Sequence, residues 1–144
     1  MSTTPHVPAA HALTAVAERP TIWVYGVAAA AVASAATTAL AAVTSGAGVS
    51  FADSTGSAIP IAGFAEMTML FSLVGLGIAA LMARMVRRPR LTFVRTAVGL
   101  TALSFVPDLT FGFDAGSAAA LITLHTVAAA IVVPTLAGRL ACTR

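Results

Sequence analysis

The chain has 144 residues, of which 58% are hydrophobic and only 9% are charged, against about 25% charged residues in an ordinary soluble domain. It contains no lysine, asparagine or glutamine, and its mean hydropathy is +0.94. This composition excludes a disordered protein, a nucleic-acid binder and a typical soluble enzyme, and it indicates an integral membrane protein. The formal charge of +3 comes from eight arginines against five acids.

The chain begins with a polar tail over residues 1–20, which is followed by the first predicted span at 21–43. This span is long enough to cross the hydrocarbon core. Trp23 and Tyr25 at its start match the aromatic belt of a membrane interface. A secretory signal peptide is the alternative, because small residues follow at 45–52, but the apolar run exceeds the roughly 7–15 residues of a signal core.

Three further spans are predicted from the hydropathy and the turn residues. A Gly/Ser/Thr loop over 44–58 separates the first span from a second span at 59–85, and the remaining spans cover 91–109 and 117–140. A short tail, 141–144, closes the chain. The predicted fold class is therefore all-α: a transmembrane four-helix up-down-up-down bundle.

The arginines predict the orientation of this 21–140 membrane domain. With four spans, all eight arginines fall on one side, and the positive-inside rule places that side in the cytoplasm. We therefore predict a multi-pass protein of the bacterial plasma (inner) membrane with both termini inside. The turn between the second and third spans holds the dense cluster, which is expected to set topology and to contact anionic lipid headgroups: Arg84, Arg87, Arg88, Arg90 and Arg95.

Three ionisable residues, Glu66, Asp108 and His125, lie within or at the ends of the predicted spans. Such residues are costly in a bilayer and usually face the bundle interior. Glu66 shares a helical stripe with small residues such as Gly63 and Gly77, which is typical of a helix–helix contact. We predict that Glu66 and His125 face each other in a polar cavity, supported by Asp108 or by hydroxyls of the first span: Ser34, Thr37 and Thr38.

The chemistry of these three candidate catalytic residues has two interpretations. The first is a buried hydrogen bond that fixes helix register. The second is proton transfer or acid–base catalysis, as in a small proton-coupled transporter or a membrane enzyme acting on a lipid or isoprenoid. For Asp108 a solvated turn or cap is favoured, because Pro107 disfavours helix at the preceding residue. No cofactor or metal is expected, since Cys142 is the single cysteine and no Cys/His cluster occurs.

The second half of the chain resembles a known family. The stretch RRPRLTFVRTAVGLTALSFVPDLTFG, which ends its Val-Pro-Asp run at Asp108, and LITLHTVAAAIVVPTLAGRL around His125 resemble small four-helix membrane proteins from high-GC bacteria. The resemblance covers about residues 20–140, and that family is known only as a domain of unknown function. It implies four spans and no particular activity. A structural or accessory role is therefore expected, with the bilayer, a second copy or another membrane protein as partner.

Overall fold

The computed structural model describes residues 19–141 and consists of four helices. They are α1 (Arg19–Gly46), α2 (Ile61–Met85), α3 (Pro89–Thr110) and α4 (Ala115–Ala141). Between residues 19 and 141 no strand forms beyond one isolated bridge between Ala52 and Ala58. The all-α prediction with four helices is confirmed. Most of the predicted tails, 1–20 and 141–144, lies outside the described residues.

Three of the four helices are long and apolar enough to cross a membrane, namely α1, α2 and α4. The third helix, α3, has 22 residues and would be about 33 Å long, so its length is sufficient. Its hydropathy is lower because Arg90, Arg95 and Asp108 lie within it. The predicted third span is thus a helix, and only its polarity separates it from the others.

Local sequence signals account for the helix boundaries. Pro60 precedes α2 in an extended conformation, and Pro89 is the first residue of α3, where its missing N–H has no helical partner to lose. Asp114 caps α4, because its carboxylate accepts hydrogen bonds from the backbone N–H groups of Gly116 (2.9 Å) and Ser117 (3.3 Å). Asp114 is therefore the N-cap residue of α4.

The helices pack unevenly around two apolar clusters. Helix α1 packs against α2 and α4, and α3 packs mainly against α4, with a looser contact to α2. One cluster is centred on Leu76 and Leu136, and the other contains Phe51, Phe64 and Leu121. Because α3 is held chiefly by α4, a gap opens between α2 and α3.

The loop between α1 and α2 folds back over one end of the bundle. Phe51 in this loop is 1% exposed, adopts a positive φ of 52°, and packs its ring 4.9 Å from that of Phe64. Its backbone N–H donates a hydrogen bond to the Ser117 hydroxyl at 3.1 Å. Ser54 of the same loop lies against Gly112, where a Cβ would come within 2.7 Å of the Ser54 Cβ. Through these contacts the α1–α2 loop packs against the start of α4 and against the turn that precedes it.

Helix α2 packs closely against α1 at Gly26, so we expect Gly26→Ala to destabilise the bundle. A Cβ at this position would lie 2.4 Å from Cδ1 of the fully buried Leu76, which must then move. Overpacking of this kind costs about 1–3 kcal/mol. Gly77→Ala is the control, because no atom lies within 4 Å of its added Cβ. Thermal unfolding in detergent should therefore separate the two variants, and an equal melting temperature would contradict the close contact.

Candidate functional site

An acid and an imidazole from adjacent helices form the one ion pair among residues 19–141. Nδ1 of His125 lies 2.9 Å from Oδ2 of Asp108. The Asp108 side chain is 7% exposed, whereas the His125 side chain is 42% exposed. Phe105 packs near the imidazole, with ring centroids 6.5 Å apart. The pair is therefore buried on the aspartate side and open on the histidine side.

Asp108 belongs to the last turn of α3 and is not a solvated turn residue. The helix continues through Pro107 to Thr110, and the Phe111 N–H donates a hydrogen bond to the Pro107 carbonyl at 3.0 Å. Pro107 therefore does not end the helix, because the residues after it still find carbonyl acceptors. The expectation of a turn or cap at Asp108 is corrected: packing against α4 keeps this carboxyl buried and within reach of His125.

The exposed side of His125 opens onto a groove between α2, α3 and α4. The groove has a volume of about 810 Å³, which lies within the usual range of ligand sites. Apolar side chains dominate its lining, including Met67, Phe71 and Leu100. These three side chains are at least half exposed, so the groove is open along its length. No sequence pattern indicates this groove, because it arises from the loose contact between α2 and α3.

The polar groups of the groove differ in how far they are already hydrogen-bonded. The Ser104 hydroxyl donates to the Thr101 carbonyl at 2.7 Å, and the Thr68 hydroxyl is 3.0 Å from that of Thr37. For His125, Nδ1 is paired with Asp108, and no described residue hydrogen-bonds Nε2. A half-exposed imidazole with one committed nitrogen can donate to or accept from a polar group in the groove.

Glu66 is not part of this pair. Its side chain is exposed on α2, outside the groove lining, and forms no hydrogen bond with residues 19–141. The predicted small-residue stripe is split, since Gly77 is exposed whereas Gly63 is partly buried and lines the groove. The prediction that Glu66 and His125 face each other is therefore corrected: Asp108 is the partner of His125.

The hydroxyls of α1 serve the contact between α1 and α2. Thr37 is 1% exposed and meets Thr68 across the helix interface, while Thr38 bonds the Ser34 carbonyl at 2.7 Å. The Ser34 hydroxyl is buried and has no partner among the described residues. These three side chains do not line the groove, although Thr68 connects the hydroxyl cluster to it.

The arginines of the α2–α3 turn are exposed at the opposite end of α3 from Asp108. Arg88 and Arg90 line a cleft of about 590 Å³ with Leu140 and Ala141 at the end of α4. The guanidinium of Arg139 stacks on the Tyr25 ring, 3.4 Å from its centroid, which is cation–π geometry. This contact brings the start of α1 next to the end of α4. Arg84, Arg87 and Arg95 are exposed nearby on α2, the turn and α3.

Two loop acids have structural roles at the other end. Hydrogen bonds, first that from the Thr55 hydroxyl and then that from the Thr55 N–H, hold the pKa of Asp53 below its ordinary value. The Ser117 hydroxyl likewise holds the pKa of Asp114 below its ordinary value. Because both pKa values are lowered in the folded protein, these hydrogen bonds stabilise the loops at neutral pH. That stabilisation is lost as the pH falls through the lowered pKa values.

Comparison with known proteins identifies a family and nothing more specific. Residues 17–142 match the model of DUF6069, which is described as a family of unknown function. No curated protein and no solved structure matches the chain. The match spans all four helices and agrees with the expected resemblance to an uncharacterised family.

Proposed function

This chain belongs to the DUF6069 family, and we propose that it is a four-span protein of the plasma membrane with a structural or accessory role. The observation that carries the proposal is the presence of three helices apolar enough to span a bilayer in one bundle with α3. Helix α3 completes the four spans, because its 22 residues suffice and its arginines lie in its first two turns. Arginine side chains near a helix end can reach the interface while their stems stay in the apolar region.

We propose an up-down-up-down arrangement with both termini in the cytoplasm. The stacking of Arg139 on Tyr25 supports it, because the start of α1 then lies beside the end of α4. Gly26 near the start of α1 also lies beside Leu76 in the second half of α2. Both contacts agree with antiparallel neighbours, which leave the arginines between residues 19 and 141 at one end, and the positive-inside rule assigns that end to the cytoplasm.

The partners proposed for this arrangement are anionic lipid headgroups at the arginine end. Arg88 and Arg90 flank the cleft beside Leu140, and each arginine near an anionic leaflet contributes about 1 kcal/mol. A second copy or another membrane protein remains the proposed partner for the exposed apolar helix faces. A bacterial inner membrane is the proposed location.

Reporter fusions test the topology. Fusions at Arg19 and at Ala141 should both report a cytoplasmic location, and a fusion in the loop at Thr55 should report the exterior. Replacing Arg87, Arg88 and Arg90 with serine should give mixed orientations, because the topogenic charge is then reduced. An exterior signal at Ala141 would overturn the four-span model. Uniform topology of the triple variant would show that the remaining arginines are sufficient.

A transporter or enzyme using Glu66, Asp108 and His125 together is less well supported. Glu66 is exposed and separate from the Asp108–His125 pair, so the three residues do not share one site at which they could act together. The pair and its groove instead support the binding of a ligand. Loss of a cellular phenotype in a stable Asp108→Asn variant would support an active role for the pair.

A further inference from the structure

We infer that the groove between α2 and α3 binds one uncharged amphiphile, a long hydrocarbon chain with a hydroxyl head, and that the head bonds Nε2 of His125. The inference rests on the proposed membrane location but goes beyond it, since a four-span protein needs no ligand. It rests on the shape of the groove, the position of the pair and the charge of the lining.

The shape of the groove fits a chain. The groove extends along α3 from Asp108 to Phe93, 15 residues earlier, or about 22 Å of helix. This is most of the roughly 30 Å hydrocarbon thickness of a bilayer. Between these two residues the walls are mainly apolar, as at Phe71, Val74 and Leu100.

The position of the pair calls for a polar head near one end of the chain. Asp108 is two residues from the end of α3, and the His125 side chain beside it is 42% exposed and lines the groove. Hydrocarbon cannot hydrogen-bond an imidazole, and an unmade bond in such surroundings is costly. A ligand that places a hydrogen-bonding group at Nε2 removes that cost, which a plain hydrocarbon tail does not.

The charge of the lining selects an uncharged head. Among the described residues around the groove, His125 is the only side chain able to carry positive charge, and Asp108 already pairs with it. A carboxylate or phosphate would therefore add an uncompensated negative charge beside Asp108. A hydroxyl adds none, and because it both donates and accepts, it matches either protonation state of the imidazole.

Photo-crosslinking of the full chain in nanodiscs tests the inference, with hexadecanol carrying a diazirine as the probe. Saturable labelling is expected on α2 and α3 in the groove, at residues such as Met67 and Phe71. The exposed apolar face of α1, at Val24 and Val32, is the reference surface for unspecific lipid contact. Unlabelled hexadecanol should compete at least tenfold better than hexadecanoate or hexadecane.

Three variants separate the head contact from the chain contact. His125→Phe should weaken competition by hexadecanol about tenfold, which corresponds to one hydrogen bond lost in an apolar site. Leu100→Trp should abolish saturable labelling by filling the groove, and it tests the site even if His125→Phe fails to fold. Glu66→Gln is the matched control and should bind like the parent, because Glu66 lies outside the groove.

Several results would overturn the inference. Equal competition by the alcohol, the acid and the alkane would remove the role of the hydroxyl, and stronger competition by the acid would make the ligand an anion. Labelling that does not saturate, or that is unchanged in Leu100→Trp, would show that the groove is not a specific binding site. Crosslinks between two chains across the groove would make a second copy the occupant. A topology different from the proposed one would be detected separately by the reporter fusions.

Discussion

His125→Ala is expected to lower the free energy of unfolding by about 3 kcal/mol, at the upper end of the cost of leaving a buried polar group without its hydrogen bond. The reason is that Asp108, which is 5% exposed, would lose the partner at 2.9 Å from its carboxylate. Denaturant titration in mixed micelles measures the loss. Glu66→Ala is the control and should change stability by less than about 0.5 kcal/mol, because its side chain is exposed.

A double-mutant cycle isolates the pair itself. Asp108→Leu and His125→Leu should each destabilise the protein, and the double variant should be more stable than the sum of the two losses predicts, by more than about 0.5 kcal/mol. Replacing both partners removes the stranded group, which is why a buried pair can be exchanged for apolar residues at little cost. The cycle of Glu66 with His125 should be additive. Additivity for Asp108 and His125 would contradict the contact.

Phe51→Ala is the second change with a large expected effect, a loss of about 3–5 kcal/mol for truncating a buried aromatic side chain. Phe51 is 1% exposed, and its ring packs against Phe64 and the start of α4. Removing it leaves a cavity under the α1–α2 loop. The loop should then open, and protease cleavage between residues 47 and 60 should become faster.

Phe111→Ala is the matched control for this prediction. Phe111 is also a loop phenylalanine at the same end of the bundle, but it is 63% exposed, so its truncation should change stability by less than about 0.5 kcal/mol in detergent. Melting temperatures and protease cleavage rates of Phe51→Ala and Phe111→Ala test this prediction. Similar losses in the two variants would mean that the loop is not anchored by Phe51.

The sequence predicted the helices well because helix boundaries depend on local properties. A run of about 20 apolar residues specifies a span, and the prolines and the capping Asp114 mark where helices begin. The predicted second span, 59–85, corresponds to α2 at Ile61–Met85, and the predicted fourth, 117–140, to α4 at Ala115–Ala141. The candidate residues predicted from the sequence also include both Asp108 and His125, because few ionisable residues occur in the apolar segments.

No comparable sequence pattern indicated that Phe51 is buried under the α1–α2 loop or that a groove lies between α2 and α3. Phe51 lies in a Gly/Ser/Thr-rich segment, and only its contacts with Phe64 and Ser117 give it a role. The groove results from the looser packing of α3 on α2 than on α4. Such differences depend on side chains from several helices at once, which one-dimensional hydropathy does not encode.

The sequence by itself determined an apolar, four-helix chain with its arginines in the turns and at the ends, because hydropathy, capping and charge are properties of short segments. Only the tertiary structure decided which acid meets His125. Each residue advances about 100° around a helix, so Glu66 lies about 200° from Phe64, two residues before it, and Phe64 faces the core. The rotation of α2 follows from burying Phe64, Leu76 and Ala79 against its neighbours. That packing turns Glu66 outward and leaves Asp108 as the acid beside His125.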